Sequence, residues 1–527
     1  MFSDESSRWD TFRALQGYIE RSSKRLIYWL LGILVIYVIA RGVAGAAARP
    51  FWFDELCTLA IAGQPTLREM WHAVARGFDS APPGFYLVER AALGLVSNKQ
   101  IALRLPSILA FPCILICVFE YVKKRSGEAI AFLCALLLLS TSLFHTYLIE
   151  ARAYSMVLAC IAFALVCYQR LPSVRGAAML GVSLSLAESL HYYAVFGMIP
   201  FWVAEGVVFL RTRRFRWPVW VALGAGTLPL AAFWPLLSSY RAYYGNYLVY
   251  SHPALSGLPD FYGSYFLIDG AFGAALALVS IAAITWSRFW PQQDISQQWK
   301  PDDGDVAEVA LLLSLIALPL IAFVLVRPVH GLLLNRYVLA TTIGVVLGVA
   351  CALSIARPRM VALFALFVLS SVGVRELRFW HHSGVDPMGR AWSVISADEF
   401  VQIEKFVQDG GHLDLPVVFG PGLVYAQTAY YSPPSWTRRL VYLMDDQREL
   451  SREGNDIVVR ALSGLRDFMP LRLADYSTFT AAHREFLLYS EGEDWTFLNR
   501  EAASMQLLEM EGARRLYLVK MKETSPH

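Results

Sequence analysis

Asp54, Glu55, Asp79, Arg104, Glu150, Arg152, His191, Arg327 and Arg336 all fall at or beside the ends of long apolar runs. A charge at membrane depth or at the end of a span is costly, so each is a candidate for function. An acid in that position can act as a general base. It can also hold a divalent cation through oxygen ligands, for which Asp54, Glu55 and Asp79 are the available acids. Arginines fit a phosphate. Each residue also has a plain structural reading. Asp54 and Glu55 follow Phe51-Trp52-Phe53 and fit a helix cap. Glu150 and Arg152 can pair with each other. His191-Tyr192-Tyr193 fits an aromatic belt at a membrane surface, and Arg104 and Arg336 can snorkel to it. No GxGxxG or GxxxxGK[ST] loop is present to cradle a nucleotide.

The elements that must position these residues are apolar runs near the roughly 20 residues a helix needs to cross a bilayer. They lie at about 26–45, 103–122, 128–148, 153–169, 176–191, 193–210, 217–237, 267–287, 307–326, 337–356 and 359–375. A further run, 82–97, is short and carries Glu89 and Arg90. If it does not cross and the N-terminus is cytoplasmic, the cytoplasmic segments hold 18 Lys and Arg against 10 outside, the tail excluded. That is the asymmetry expected of a membrane protein. The run 82–97 is therefore read as interfacial or re-entrant. Eleven crossings then put the candidate acids and arginines on one external face.

Composition agrees. Hydrophobic residues make up 56% of the 527 and charged residues 17%, against roughly 45–50% and 25% in soluble domains. Of the 89 charged residues, 37 fall in 377–527, so the charge-poor part is the first. A disordered chain and a single soluble enzyme are excluded, and the net charge of +3 gives no reason to expect nucleic-acid binding. The expected architecture is a polytopic α-helical membrane protein with about 11 transmembrane helices and interfacial helices in the first external loop. A C-terminal soluble α/β domain follows. The boundaries are a cytoplasmic segment 1–25, a transmembrane domain 26–376 with its first external loop at 46–102, and an extracytoplasmic domain 377–527. In the tail, 416–420, 438–444 and 514–522 read as strands and 396–409 and 499–511 as helices; its normal charge density suggests that it folds alone. The seven cysteines read as buried apolar side chains. The first apolar run is longer than a signal-peptide core, so no cleaved leader is expected.

The motifs FWFDE (51–55), DSAPPGFYL (79–87), ALRLPS (102–107), LIEARAYSMVLA (148–159), HYYAVF (191–196) and NRYVLA (335–340) occur in this order. In that order the chain resembles the type C glycosyltransferases, in the branch of protein O-mannosyltransferases and the lipid A aminoarabinose transferase. The resemblance covers about 26–356. It implies transfer of a sugar from a polyprenyl-phosphate donor to an envelope glycan, lipid or protein acceptor, outside the cytoplasm of a bacterial inner membrane. It assigns the catalytic acid to Asp54, with Glu55 beside it. Donor and phosphate contacts would come from Arg104, Arg152, Arg336 and Tyr337, and pocket or acceptor contacts from Asp79, Glu150, Tyr154, His191 and Tyr192. Relatives often carry His or Lys before the Pro-Pro pair, where this chain has Ala81. A single displacement would invert the anomeric centre. The rival reading is a transporter or lipid flippase with an external acidic and arginine pocket. It predicts inverted repeats and midplane charges, and the sequence has no visible repeat.

Overall fold

The computed structural model describes residues 3–245, 255–266, 303–329, 333–382, 384, 396–445, 450, 456–492, 495 and 498–522. The expected span 267–287 lies outside the described residues. Helix α1 (Ser3–Ala48) carries the first apolar run. Three short helices follow, α2 (Phe53–Ala62), α3 (Leu67–Ala75) and α4 (Pro83–Leu95). The last of these is the disputed run. Its 13 residues rise only about 20 Å, short of the roughly 30 Å hydrocarbon core. Pro83 opens it, and it buries Phe85, Tyr86 and Glu89 while exposing Leu87, Val88 and Leu95.

Helix α5 (Lys99–Leu138) joins two expected spans. Asn98 caps it by accepting from the Ile101 amide, and it breaks at Gly127, whose φ of 79° lies in the left-handed region that a side chain disfavours. Its second half stops at Leu138, ten residues before the expected end, and α6 (Ser142–Tyr147) follows after a turn. Then come α7 (Tyr154–Tyr168), α8 (Val174–Leu190), α9 (Ala194–Thr212), α10 (Trp217–Ala232) and α11 (Trp234–Tyr243). Helices Lys24–Ala48, Lys99–Leu138, Ala194–Thr212 and Pro358–His381 are each long and apolar enough to cross a membrane. Two pairs bent by 50° and 65°, Trp217–Ala232 with Trp234–Tyr243 and Asp305–Ile316 with Leu318–Val326, have the form of broken spans or re-entrant loops. This is a multi-pass membrane protein.

The tail is α/β. Its six strands are β1 (Val417–Phe419), β2 (Leu440–Met444), β3 (Leu473–Asp475), β4 (Glu485–Ser490), β5 (Ala502–Glu511) and β6 (Arg514–Met521), in sheet order β3-β2-β1-β4-β6-β5. The first four pair in parallel, and β6 and β5 run antiparallel. The expected helix Ala397–Asp409 is present. The expected helix 499–511 is not: β5 occupies it. Register shifts at Ala502/Ser504 and Leu507/Glu509 break the alternation of a regular strand, so the pairs Met505/Leu508 and Leu507/Met510, each three apart, imitate helical spacing.

The expectation of a self-contained tail meets a shared core. Phe51, Trp52, Phe53, Leu56, Ile61 and Phe78 of the first loop form one buried cluster with Tyr425, Trp436, Leu462 and Leu465 of the tail. The loop is also tied to the tail by main-chain bonds. The Phe51 amide donates to Tyr431 Oη at 2.7 Å, and Gln427 Nε2 donates to the Phe51 carbonyl at 2.9 Å.

Candidate active site

Glu55 is wholly buried in the first turn of α2. Its carboxylate accepts from Arg104 Nε at 2.8 Å and Nη2 at 2.6 Å, from the Ala151 amide at 2.8 Å and from the Trp52 amide at 3.1 Å. Arg104, equally buried, turns its remaining donors to the carbonyls of Ala46 (2.9 Å), Arg49 (2.6 Å) and Pro50 (2.9 Å). A guanidinium has five N–H groups, and all five are used. Burial alone would raise the Glu55 carboxyl, but the Arg104 guanidinium against it holds it below the usual carboxylate range. Arg104 therefore has no donor left for a phosphate, and the Glu55 carboxylate is engaged by the Arg104 guanidinium and two main-chain amides rather than open to a substrate. Together they pin the end of α1, the start of α2, α5 and the 150–152 turn to one point.

Arg152 binds Asp79 side-on, Nη1 to Oδ2 at 2.7 Å and Nη2 to Oδ1 at 2.9 Å. It therefore pairs with Asp79, where the sequence offered Glu150. Thr58 Oγ1, which sequence reasoning missed, lies 3.4 Å from Arg152 Nη1 and donates to the Ala151 carbonyl at 3.2 Å. Burial would raise Asp79 also, and Arg152 keeps it lowered.

Asp54 and Arg336 are held differently. Arg336 Nη1 stands 3.7 Å from Asp54 Oδ2, beyond hydrogen-bond reach, with side chains 30% and 23% exposed. Arg336 sits in the turn Asn335–Tyr337. Asn335 Nδ2 anchors that turn on Ser264 Oγ at 2.8 Å, and the Tyr337 ring stacks on Tyr193 with centroids 3.7 Å apart. His191 packs between Tyr154 and Tyr337, with centroid distances of 5.3 and 5.8 Å.

These groups meet at a cavity of about 260 Å³. Trp52, Phe53, Asp54, Cys57, Phe78, Asp79 and Ser80 line it from the first loop. Arg152, Leu334, Arg336 and Tyr337 come from the turns beside the spans, with Tyr240 of α11 and Tyr244 just after it. Leu423, Ile457, Val458 and Ala461 line it from the tail. No sequence signal marked these tail residues, because their meeting with Asp54 depends on how the tail docks. Glu150, Tyr154, His191 and Tyr192 are buried and are not part of this lining. Ala81, at the position of the missing His or Lys, is buried as well.

The cation set fares poorly. Among the described residues no three His, Cys, Asp or Glu side chains converge. Of Asp54, Glu55 and Asp79, the last two already bind arginines, so the three do not form a ligand cage. What the arrangement offers is one accessible carboxylate and one accessible guanidinium facing each other, with a second arginine alongside.

Sequence inspection also missed Arg41 and Glu376, which lie in the first and last long helices. Arg41 Nε donates to Glu376 at 2.8 Å, and the guanidinium is sandwiched between Phe144 and Phe379 at 4.5 and 3.8 Å from their centroids. Arg41 lies inside the apolar run 26–45 and Glu376 directly follows the run 359–375, and that is the signal by which they could have been found.

No protein-family model matches the chain, and no curated protein matches it. Among solved structures it is similar to ArnT from Cupriavidus metallidurans bound to undecaprenyl phosphate, with a TM-score of 0.54 and 13% identity over 93% of this chain and 97% of that one. A second similar structure is the archaeal oligosaccharyltransferase AglB from Archaeoglobus fulgidus in complex with an inhibitory peptide and a dolichol-phosphate. There the TM-score is 0.47 and the identity 11%, over 89% and 71% of the two chains. The likeness to ArnT runs nearly end to end, and at this identity it is a likeness of fold: a membrane helix bundle with a C-terminal α/β domain.

Proposed function

We propose that the protein is a membrane glycosyltransferase that moves a sugar from a polyprenyl-phosphate donor to an envelope acceptor. Asp54 is the general base. The observation that carries this reading is the state of the Asp54–Arg336 pair. Glu55 and Asp79 are saturated by arginines, whereas Asp54 and Arg336 stand 3.7 Å apart and open to the cavity. A carboxylate in that state can take a proton from an acceptor hydroxyl or amine. The acceptor oxygen or nitrogen then bonds to the anomeric carbon while the bond from that carbon to the phosphate oxygen breaks. Negative charge develops on the departing polyprenyl phosphate, and Arg336, with Arg152 beside it, faces that charge. One displacement inverts the anomeric centre. The similar ArnT structure was obtained with undecaprenyl phosphate, which supports a donor of that class here.

The same reading takes the membrane topology with it. The first loop and the tail share one core, so they lie on one side of the membrane. An even number of crossings between them, ten after the first span, agrees with eleven in all. We place the tail, 377–527, outside the cytoplasm of a bacterial inner membrane, and 26–376 as the transferase domain.

The test uses the purified protein with undecaprenyl-phosphate-linked mannose, glucose and 4-amino-arabinose in the presence of envelope extract. Release of undecaprenyl phosphate with formation of an inverted glycoside is expected for one of them. Release of none, together with no binding of undecaprenyl phosphate, would remove the reading.

A further inference from the structure

The cavity lies on a seam. On one side Leu334 and Tyr337 pack into the core of the spanning helices. On the other, Leu423, Val458 and Ala461 belong to the core shared by the first loop and the tail. All four charged residues in the lining, Asp54, Asp79, Arg152 and Arg336, come from the membrane part. The tail contributes Leu423, Ile457, Val458 and Ala461, and none of these carries charge or a polar side-chain atom.

This wall is held firmly. The tail helix Ile457–Leu465 is latched to α11, Tyr243 Oη donating to the Arg460 carbonyl at 2.7 Å and Arg460 Nη1 to the Tyr243 carbonyl at 3.0 Å. Gly464 sits so close to the first loop that a Cβ there would come 2.4 Å from Phe78 Cβ. Arg76 pairs with Asp467, and Phe78 stacks on Phe468 with centroids 5.5 Å apart. The tail is therefore seated against the loop that carries Asp54, with an apolar face turned to the reacting carboxylate.

We infer that this tail face is the acceptor side of the site, and that it selects an acceptor whose body next to the attacking hydroxyl or amine is uncharged and apolar. The inference rests on the transferase reading. The phosphate of the donor belongs with the arginines, on the side of the spanning helices. That leaves the face across the cavity, built from Leu423, Ile457 and Val458, for the molecule that brings the nucleophile. At about 260 Å³ the cavity falls below the roughly 300–1,000 Å³ of a site for a drug-sized ligand. It admits the reacting ends of two substrates rather than a whole glycolipid. A phosphate or carboxylate on the acceptor beside its nucleophile would be stripped of water against this wall with no partner supplied by the tail, which is strongly unfavourable.

The experiment uses full-length protein and two readouts. A deletion strain of the source organism is complemented with wild type, Val458→Thr or Val458→Lys, and the sugar-bearing envelope molecule is identified and quantified by mass spectrometry. Undecaprenyl phosphate binding is measured on each purified protein. Val458→Lys is expected to lower product at least tenfold while binding stays within twofold of wild type. Val458→Thr keeps the shape of the side chain and guards against a lysine that unseats the tail; it is expected to lower product about threefold with binding intact. Full product in both variants overturns the inference. So does a modified molecule that carries an ionised group on the unit receiving the sugar. If wild type binds no undecaprenyl phosphate and the deletion strain loses no sugar, the transferase reading itself has failed.

Discussion

The residues of this site divide by how completely they are used. Glu55 and Arg104 satisfy each other and five further main-chain groups in a fully buried position. Removing one charge strands the other, which typically costs roughly 3–5 kcal/mol. Glu55→Gln is therefore expected to lower thermal stability sharply, and any activity it loses should follow the loss of folded protein. The pH dependence has a definite sign. The folded carboxyls of Glu55 and Asp79 lie below their ordinary values, so their stabilisation is complete above about pH 4 and is lost as pH falls through the lower folded values. Thermal unfolding followed from pH 7 to pH 3 should show this loss in wild type and a shallower acid limb in Asp79→Asn. An equal slope in both would remove Asp79 from the account. Arg336 is the opposite case, half-held and open. If it faces the departing phosphate, Arg336→Lys should restore only part of the donor affinity lost in Arg336→Ala, because a lysine lacks the planar fork; affinity unchanged in the alanine variant would reduce Arg336 to an anchor. The sequence displayed these ionisable groups because charges stand out in apolar surroundings. Which acid each arginine would meet was not legible. Glu55 and Arg104 are 49 positions apart and Asp79 and Arg152 are 73 apart, and only the packed helices bring them together.

Among the elements, the long helices Lys24–Ala48, Ala194–Thr212 and Pro358–His381 follow from length and apolarity alone. The run 82–97 needed the distribution of basic residues as well, and its 13-residue helix is too short to cross. The break of α5 at Gly127 falls between the two runs expected there, 103–122 and 128–148. The expected helix 499–511 fails because local pattern cannot register an interruption: two bulges in β5 turn a strand into an imitation of a helix. The expectation of a self-contained tail rests on its normal surface charge, which gives no sign of the apolar face that packs against the first loop. Residues 396–527 expressed alone would expose Tyr425, Leu462 and Leu465, which the loop helps to bury. That fragment is expected to aggregate or to unfold without a cooperative transition. A soluble fragment with a sharp transition would show that the shared core is dispensable.

At the scale of the whole molecule, the first loop and the tail share one core and hold the accessible Asp54–Arg336 pair at the cavity on their seam with the spanning helices. Orientation is testable directly. A reporter fused after Lys124 is expected to be cytoplasmic and one after His527 external, and an external signal at Lys124 would put the candidate site on the wrong side of the membrane. The central claim is that Asp54 is the base, and one comparison addresses it: the rate of transfer from the polyprenyl-phosphate sugar in Asp54→Asn, measured beside donor binding in the same purified protein. The substitution keeps size and hydrogen bonding while removing the charge. The account predicts a fall of roughly 10²–10⁴-fold in transfer with donor affinity and thermal stability near wild type. Transfer at the wild-type rate in Asp54→Asn would contradict it.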